Sequence, residues 1–357
     1  MNTQAAAFGR IHAGCESRPF VANLATEIDM LHGVPLTINH GGDRGNAWVC
    51  SPLTTYSDYA REECRRYLHP TLAMPVAAMC RACGYLMRRA RIDRAVTVNN
   101  WLLSTNLYPP LQKAQAEQLV DTVLQRWPDH AIWFRSLNGA QNADWLAFLR
   151  ERGFALIPSR QVYFFNAGFA GDKRSADLKR DMKLLQTTPL RRVAPGDFTE
   201  ADCPRIAALY AHLYLDKYST LNPQYTPAFF SSWMQGGLVQ FHGFRDAEGV
   251  LQGVVGLFRQ NGTITAPVVG YNTALPVKLG LYRLLMACVL EQATLAHSAV
   301  NLSAGAAHFK RLRGGRPLIE YSAVLVRHLP LRRRALIAVL RALTTWIGVP
   351  LMRKFKL

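Results

Sequence analysis

Thr263-Ile264-Thr265-Ala266-Pro267-Val268-Val269-Gly270-Tyr271-Asn272-Thr273 leads through Leu275-Pro276-Val277-Lys278-Leu279-Gly280 into Leu281-Tyr282-Arg283-Leu284-Leu285-Met286-Ala287-Cys288-Val289. The first segment is rich in β-branched residues and predicts a strand in the middle of a sheet. Pro276 and Gly280 mark a turn. Beyond it, Leu281, Leu284, Leu285, Cys288 and Val289 fall at i, i+3, i+4, i+7 and i+8, which predicts a helix with one buried face. Asn301-Leu302-Ser303 reads as the end of another strand, and Gly305-Ala306-Ala307-His308-Phe309-Lys310 follows.

A strand that enters a helix through a Gly-containing, Lys-bearing turn is a physical anion site. Free backbone N–H groups and the positive end of the helix dipole point at the incoming charge. This order resembles the CoA-binding half of the GNAT acyltransferase superfamily, and more closely its two-domain FemAB-like and BioF2-like N-acyltransferases. In those relatives a Gly-x-x-x-(Tyr/Phe)-Lys element follows the second strand, which Gly305–Lys310 matches. The family loop is Gln/Arg-x-x-Gly-x-Gly/Ala. Gly280 stands for its first glycine, whereas Val277 replaces the Gln/Arg and Tyr282 the second small residue. The resemblance implies an acyl donor (acyl-CoA or acyl-carrier protein) held at Lys278, Leu279, Gly280 and Leu281, with Lys310 on its phosphates.

The rest of the chain fits that order. Upstream of Thr263, a helix over 197–218 and a shorter one over 227–234 precede a hairpin, 238–244 and 250–258, around Arg245-Asp246-Ala247-Glu248-Gly249. In the first half we expect strands at 31–38, 47–50, 95–108, 131–135 and 154–165. Helices are expected at 56–68, 74–90, 115–127 and 144–152. This is α/β alternation. The run Trp145–Phe154 resembles the helix–Gly-Phe–strand ending of a GNAT unit. The expected fold is therefore α/β (α+β): tandem GNAT-like domains with a mixed sheet flanked by helices. The boundary falls in the charged stretch 166–196, giving units 1–170 and 171–330 and a basic amphipathic tail, 331–357.

With 357 residues and a formal charge of +18, the chain is long enough for two cores and basic enough to favour a polyanionic neighbour. The N-terminus shows no apolar signal segment, and no uncharged apolar run reaches the roughly 18 residues of a spanning helix. Seven cysteines at irregular spacing suggest reduced thiols and a cytoplasmic setting. Cys64, His69, Cys80 and Cys83 have no trusted zinc spacing. Cys80 and Cys83 read as buried thiols one helical turn apart, and no metal is expected.

N-acyl transfer from a thioester needs a neutral amine, donors for the developing oxyanion and a proton for the leaving thiolate. Backbone N–H groups near Val269–Tyr271 are candidates for the oxyanion donors. Elimination among the acids beyond residue 190 leaves Asp216 and Glu320 as candidate bases. Glu320 stands out because it interrupts the strand-like run Leu318–Val324. Tyr271 and His308 are alternative proton handlers, and Arg311 and Arg313 join Lys278 and Lys310 as possible phosphate ligands. No Gly-x-Ser-x-Gly is present, so serine hydrolase chemistry is not indicated.

After Glu320 the chain has no acid. Leu336, Val339, Leu340, Leu343, Trp346 and Ile347 make an apolar stripe among Arg327, Arg332, Arg333, Arg334, Arg341, Arg353, Lys354 and Lys356. Such a helix suits the surface of an anionic membrane, peripheral on the inner face, and Arg341 and Pro350 make it too interrupted to span. The expected activity is N-acyl transfer from a CoA or carrier-protein thioester to an amine, for instance a lipid amine or amino acid. Two alternatives stand: a FemAB-like aminoacyl-tRNA-dependent transferase, and a non-catalytic basic protein binding nucleic acid or membrane.

Overall fold

The computed structural model describes residues 3–42, 45–169 and 175–355. Its strands are β1 (Glu27–Leu31), β2 (Val34–Asn39), β3 (Ala95–Val98), β4 (Ala131–Leu137), β5 (Ala155–Phe165), β6 (Arg191–Val193), β7 (Gln240–Arg245), β8 (Leu251–Gln260), β9 (Thr263–Tyr271), β10 (Ala299–Asn301) and β11 (Arg316–Leu325). The helices are α1 (Thr3–His12), α2 (Ala60–Tyr67), α3 (Pro70–Arg89), α4 (Lys113–Arg126), α5 (Ala143–Glu151), α6 (Ala176–Thr187), α7 (Cys203–Ala211), α8 (Pro227–Gln235), α9 (Leu281–Leu295), α10 (Ala307–Leu312), α11 (Leu331–Leu343) and α12 (Val349–Phe355).

All these strands join one mixed sheet in the order β1-β2-β3-β4-β11-β5-β10-β9-β8-β7-β6. Each half is built around one parallel pair. β3 and β4 run parallel with α4 between them in the chain, and β9 and β10 run parallel with α9 between them. The remaining neighbours pair antiparallel. β11, late in sequence, lies between β4 and β5 of the first half and pairs with both. A division of the chain near residue 170 thus separates β11 in sequence from the unit it completes in space. That joint is partly beyond view: Gly171, Asp172, Lys173 and Arg174 lie outside the described residues.

Two layers of apolar side chains hold the first half. On one face Leu119, Val120 and Val123 of α4 and Trp145, Leu146 and Leu149 of α5 pack against Ile132 and Phe134. On the other, Cys83 and Met87 of α3 and Leu336, Ile337 and Leu340 of α11 cover Trp133, Ile157 and Val324. Cys80 and Cys83 both lie buried in α3. In the second half α9 turns Leu284, Leu285, Val289 and Ala293 onto β8 and β9, as its period predicts.

Several expectations need correction. The segment Ala47–Cys50 is a turn, not a strand. Its carbonyls are taken by side chains instead of a ladder: Thr55 donates to Trp48, Arg135 to Val49 and Asn39 to Cys50. The expected strand 95–108 stops at Val98. Asn99 and Leu102 then take positive φ, and the Asn99 and Asn106 side chains bond nearby backbone, the usual way asparagine competes with a sheet, while Asn100 donates to the distant carbonyl of Val49. The tail, expected to be too interrupted to span, is one continuous helix from Leu331 to Phe355, 25 residues long with a mean hydropathy of 1.7 in its most apolar window. A π-helical turn, Thr344–Gly348, precedes Pro350 and carries the helix past it.

Candidate active site

The decisive backbone feature is where β9 and β10 part. β10 pairs with β9 only from Ala299 to Asn301, opposite Thr263 to Thr265. On its other edge β10 holds Phe164 and Phe165 of β5. The chain leaving β10 stays with β5, since Leu302 N donates to Tyr163 O and Tyr163 N donates to Ser303 O. From Ala266 to Tyr271, therefore, the edge of β9 that faced β10 has no strand beside it among the described residues. A wedge opens in mid-sheet with backbone polar groups along one wall.

Gly270 sets how deep that wall lies. A Cβ there would meet Leu209 C and Tyr210 N at 2.6 Å, so the β9 backbone rests directly on α7. The chain then passes through a short 3-10 turn, Val277–Leu279, to Gly280, the residue before α9, whose φ of 67° is left-handed. There glycine avoids the cost a side chain brings. The N–H groups of Leu281, Tyr282 and Arg283 start the helix and have no carbonyl one turn back. Lys278 is exposed and Leu279 half-buried at this turn. These donors fit an anion, but the fit to the family loop is partial. Val277 points to solvent, and the Tyr282 ring lies 4.9 Å from Phe309 and 6.2 Å from Tyr271, where the family has a small residue.

Aromatic residues continue from the wedge into the first half. Tyr210 stacks on Tyr214 at 4.7 Å, and Tyr214 lies 6.3 Å from Tyr218. A π-helical turn, His212–Asp216, widens the helix end and carries Tyr214. Arg66 of α2 donates to Tyr218 O and holds its guanidinium 5.4 Å from the Tyr218 ring. Glu63 lies on the same helix, one turn before Arg66. Burial raises the Glu63 carboxyl to about 7, with Arg66 and Arg160 pulling the other way. Burial likewise raises the phenols of Tyr218 and Tyr271, keeping them protonated. The Glu63 carboxyl adds to the upward shift of Tyr218, and Tyr218 to that of Tyr271.

A buried polar layer sits on three adjacent strands. Arg160 of β5 chelates Glu320 of β11 through Nε at 2.8 Å and an η nitrogen at 3.2 Å. Arg135 of β4 is buried and donates to Val49 O at 2.7 Å. Trp48 lies between the two arginines, 4.9 Å from Arg135 and 5.0 Å from Arg160, and its Nε1 donates to Asn222. Of the two, Arg160 pairs with the buried carboxylate and Arg135 is held by the carbonyl of Val49.

The residues singled out from sequence are scattered. Tyr271 lines the wedge, and Gly280 and Leu281 stand at its helix end. Asp216 is exposed and bonds His212 at 3.1 Å, and His308 is exposed on α10. Glu320 is one layer back, occupied by Arg160. Lys310 is buried, and its ammonium donates to the carbonyls of Leu302 at 2.7 Å, Ser303 at 3.3 Å and Ala304 at 2.7 Å. Arg313 likewise is committed to Asp181, which also binds Arg283 at 2.7 Å. Glu63, Arg66 and Arg160 were missed. A signal existed: Tyr59, Glu63 and Tyr67 at i, i+4 and i+8 put one carboxylate in the middle of an aromatic helix face.

No family model and no curated protein matches the chain. Among solved structures, the C-terminal domain of a putative lysylphosphatidylglycerol synthetase from Agrobacterium fabrum superposes with a TM-score of 0.53 at 12% identity, over 96% of each chain. The likeness shows the fold alone, a mixed α/β sheet flanked by helices. Looser likenesses are the lysylphosphatidylglycerol synthetase (L-PGS) of Bacillus licheniformis, with a TM-score of 0.46, 12% identity and 64% of this chain against 77% of that one. FemX gives 0.46 at 9% identity, over 60% of this chain and 77% of its own.

Proposed function

We propose that the chain is a group transferase that moves an acyl or aminoacyl group from an activated carrier to an amine in the wedge between β9 and β10. The observation that carries this reading is the β9 edge, Ala266–Tyr271, which has no strand beside it among the described residues and is followed, through one short loop, by the N-terminus of α9. In this reading the donor's phosphates lie against the N–H groups of Leu281–Arg283 near Lys278, and its carbonyl lies along β9. Backbone N–H groups of the β9 edge stabilise the oxyanion. Glu63 takes the proton that the amine loses on attack, directly or through one water. The tetrahedral intermediate collapses, the bond from acyl carbon to carrier breaks, and the neutral phenol of Tyr271 returns a proton to the leaving atom.

The donor we favour is an acyl thioester, acyl-CoA or acyl-carrier protein, with a cytoplasmic setting. A second reading, an aminoacyl-tRNA donor, is favoured by the formal charge of +18 and by a fold neighbour named for making a lysyl phospholipid. Mass spectrometry of amines from cells with and without the gene, paired with titration of purified protein by acyl-CoA and by aminoacyl-tRNA, tests both. A gene-dependent N-acyl product, with acyl-CoA binding lost in Gly280→Glu, supports the thioester reading. Binding of aminoacyl-tRNA alone moves the assignment to the second donor. Binding of neither, with no new product, overturns transfer.

A further inference from the structure

We infer that α3 and the tail helix Leu331–Phe355 together form a docking face for an anionic lipid bilayer. The inference does not rest on the reaction assigned above. α3 and α11 cover the same sheet face: Cys83 and Met87 of α3 join Leu336, Ile337 and Leu340 of α11 in a single core cluster. Arg333 fastens the start of α11 to that neighbour, donating to Ala90 O at 2.8 Å and to Asp129 O at 2.7 Å. The tail is therefore held against the protein over its first turns and lies on the fold.

Both helices use their inward faces for the core and still present large apolar groups to water. On α3 these are Leu72, Met74, Tyr85 and Leu86; on the tail they are Leu331, Val339, Trp346 and Ile347. Trp346 is 78% exposed and Met74 76%. A packed core gives no reason for such side chains on two adjacent helices, and apolar groups clustered at a surface mark an interaction site.

Charge selects the occupant. Neither helix contains an acid, whereas Arg81, Arg88 and Arg89 on α3, and Arg332, Arg334, Arg341, Arg353 and Lys354 on the tail, are all exposed. A nucleic acid would be met by the cations alone and would leave Leu86, Val339 and Ile347 in water. An anionic interface satisfies both sets at once: acyl chains take the apolar side chains, headgroup phosphates the arginines, and a tryptophan sits at the boundary. The surface has a fixed relation to the candidate site. α2, whose Arg66 reaches Tyr218, packs directly against α3, so a docked bilayer lies one helix layer from α2.

Cosedimentation of the full chain with phosphatidylcholine vesicles, with and without one-third phosphatidylglycerol, tests the inference. The expected result is salt-sensitive binding to the anionic vesicles and little to the neutral ones. The double variant Arg334→Ser, Arg341→Ser should weaken it roughly thirtyfold, since each cation near the surface contributes about five- to sixfold. Trp346→Glu on the tail and Leu86→Glu on α3 should each cut binding at least as strongly while changing the denaturation midpoint little, because Trp346 is 78% and Leu86 50% exposed. Binding that tolerates either glutamate overturns the two-helix face. Tight binding of bulk tRNA that competes with vesicles and survives both glutamates overturns it in favour of an RNA surface.

Discussion

Arg160 and Glu320 form a two-pronged ion pair between neighbouring strands, Nε to Oε1 at 2.8 Å and an η nitrogen to Oε2 at 3.2 Å. Glu320 is 2% exposed, and its partner also reaches Ser104 O, Thr105 Oγ1 and the Trp48 ring. Removing the carboxylate leaves Arg160 without its ion-pair partner, beside the buried Arg135. Glu320→Ala should therefore cost about 3–5 kcal/mol of stability, the range for breaking a buried pair from one side. Glu320→Gln, which keeps hydrogen-bond acceptance, should cost less. Chemical denaturation at pH 7 measures both. An unchanged midpoint in Glu320→Ala would show that the pair does not hold β11 in the sheet.

Glu63 should govern the acid side of the pH profile. Burial sets its carboxyl at about 7, and only the ionised form accepts a proton. Below that value the rate should fall roughly tenfold per pH unit, and above it the rate should level off. Glu63→Gln should lower kcat/KM by a factor on the order of 10²–10⁴ and flatten the acid limb. The same shift acts on stability with the opposite sense. The unfolded carboxyl loses its proton near 4.5 and the folded one near 7, so this group's contribution declines as pH rises between those values. A limb that persists in Glu63→Gln would assign the base elsewhere.

What the sequence made legible follows from periodicity and turn residues. The stripe of α9 repeats at 3.6 residues, and the β7–β8 hairpin and the Thr263–Tyr271 strand are marked by apolar and β-branched runs around turn residues; all appear where expected. The site was less legible because it is assembled across the chain. Glu320 looked anomalous in a strand, and it is, but the cause is Arg160 in a strand 160 residues earlier. Lys310 matches a family element, yet whether an ammonium meets phosphate or its own loop's carbonyls depends on how Leu302–Ala304 turns. That turn uses positive φ at Ser303, Gly305 and Ala306, which no periodicity encodes. Glu63 escaped notice because two acids near a helix start and two arginines near its end read equally well as dipole complement.

Lys310 gives a prediction opposite in sign to that of an exposed lysine. Burial, with Arg160 nearby, lowers its ammonium to about 7, against 10.5 for the free side chain. Between those values the unfolded chain holds a proton that the folded chain has released. Stability from this group therefore rises with pH from about 7 to 10.5 and is flat below. Lys310→Met should abolish that rise. It should also cost about 1–3 kcal/mol, because the carbonyls of Leu302 and Ala304 lose their donor. Urea titrations of both proteins at pH 6, 8 and 9.5 compare the slopes. Equal slopes would mean that the ammonium titrates normally.

Gly270 and Gly280 separate the two things the wedge requires, and one pair of alanines tells them apart. A Cβ at Gly270 would stand 2.6 Å from the α7 backbone, which cannot yield as a flexible side chain can. Gly270→Ala should push β9 off α7, costing about 1–3 kcal/mol as overpacking and displacing the β9 edge that carries the oxyanion donors. At Gly280 the obstacle is the end of Leu184, 2.9 Å away, together with the positive φ. Leu184 can rotate, so Gly280→Ala should cost about 1 kcal/mol from backbone strain. Its main effect should be weaker donor binding, because the first turn of α9 shifts. Kinetics on the two variants should thus split: kcat falls in Gly270→Ala at little change in donor KM, whereas donor KM rises in Gly280→Ala at little change in kcat. If both variants change the same parameter, β9 and the α9 turn do not serve the separate roles of oxyanion wall and anion clamp.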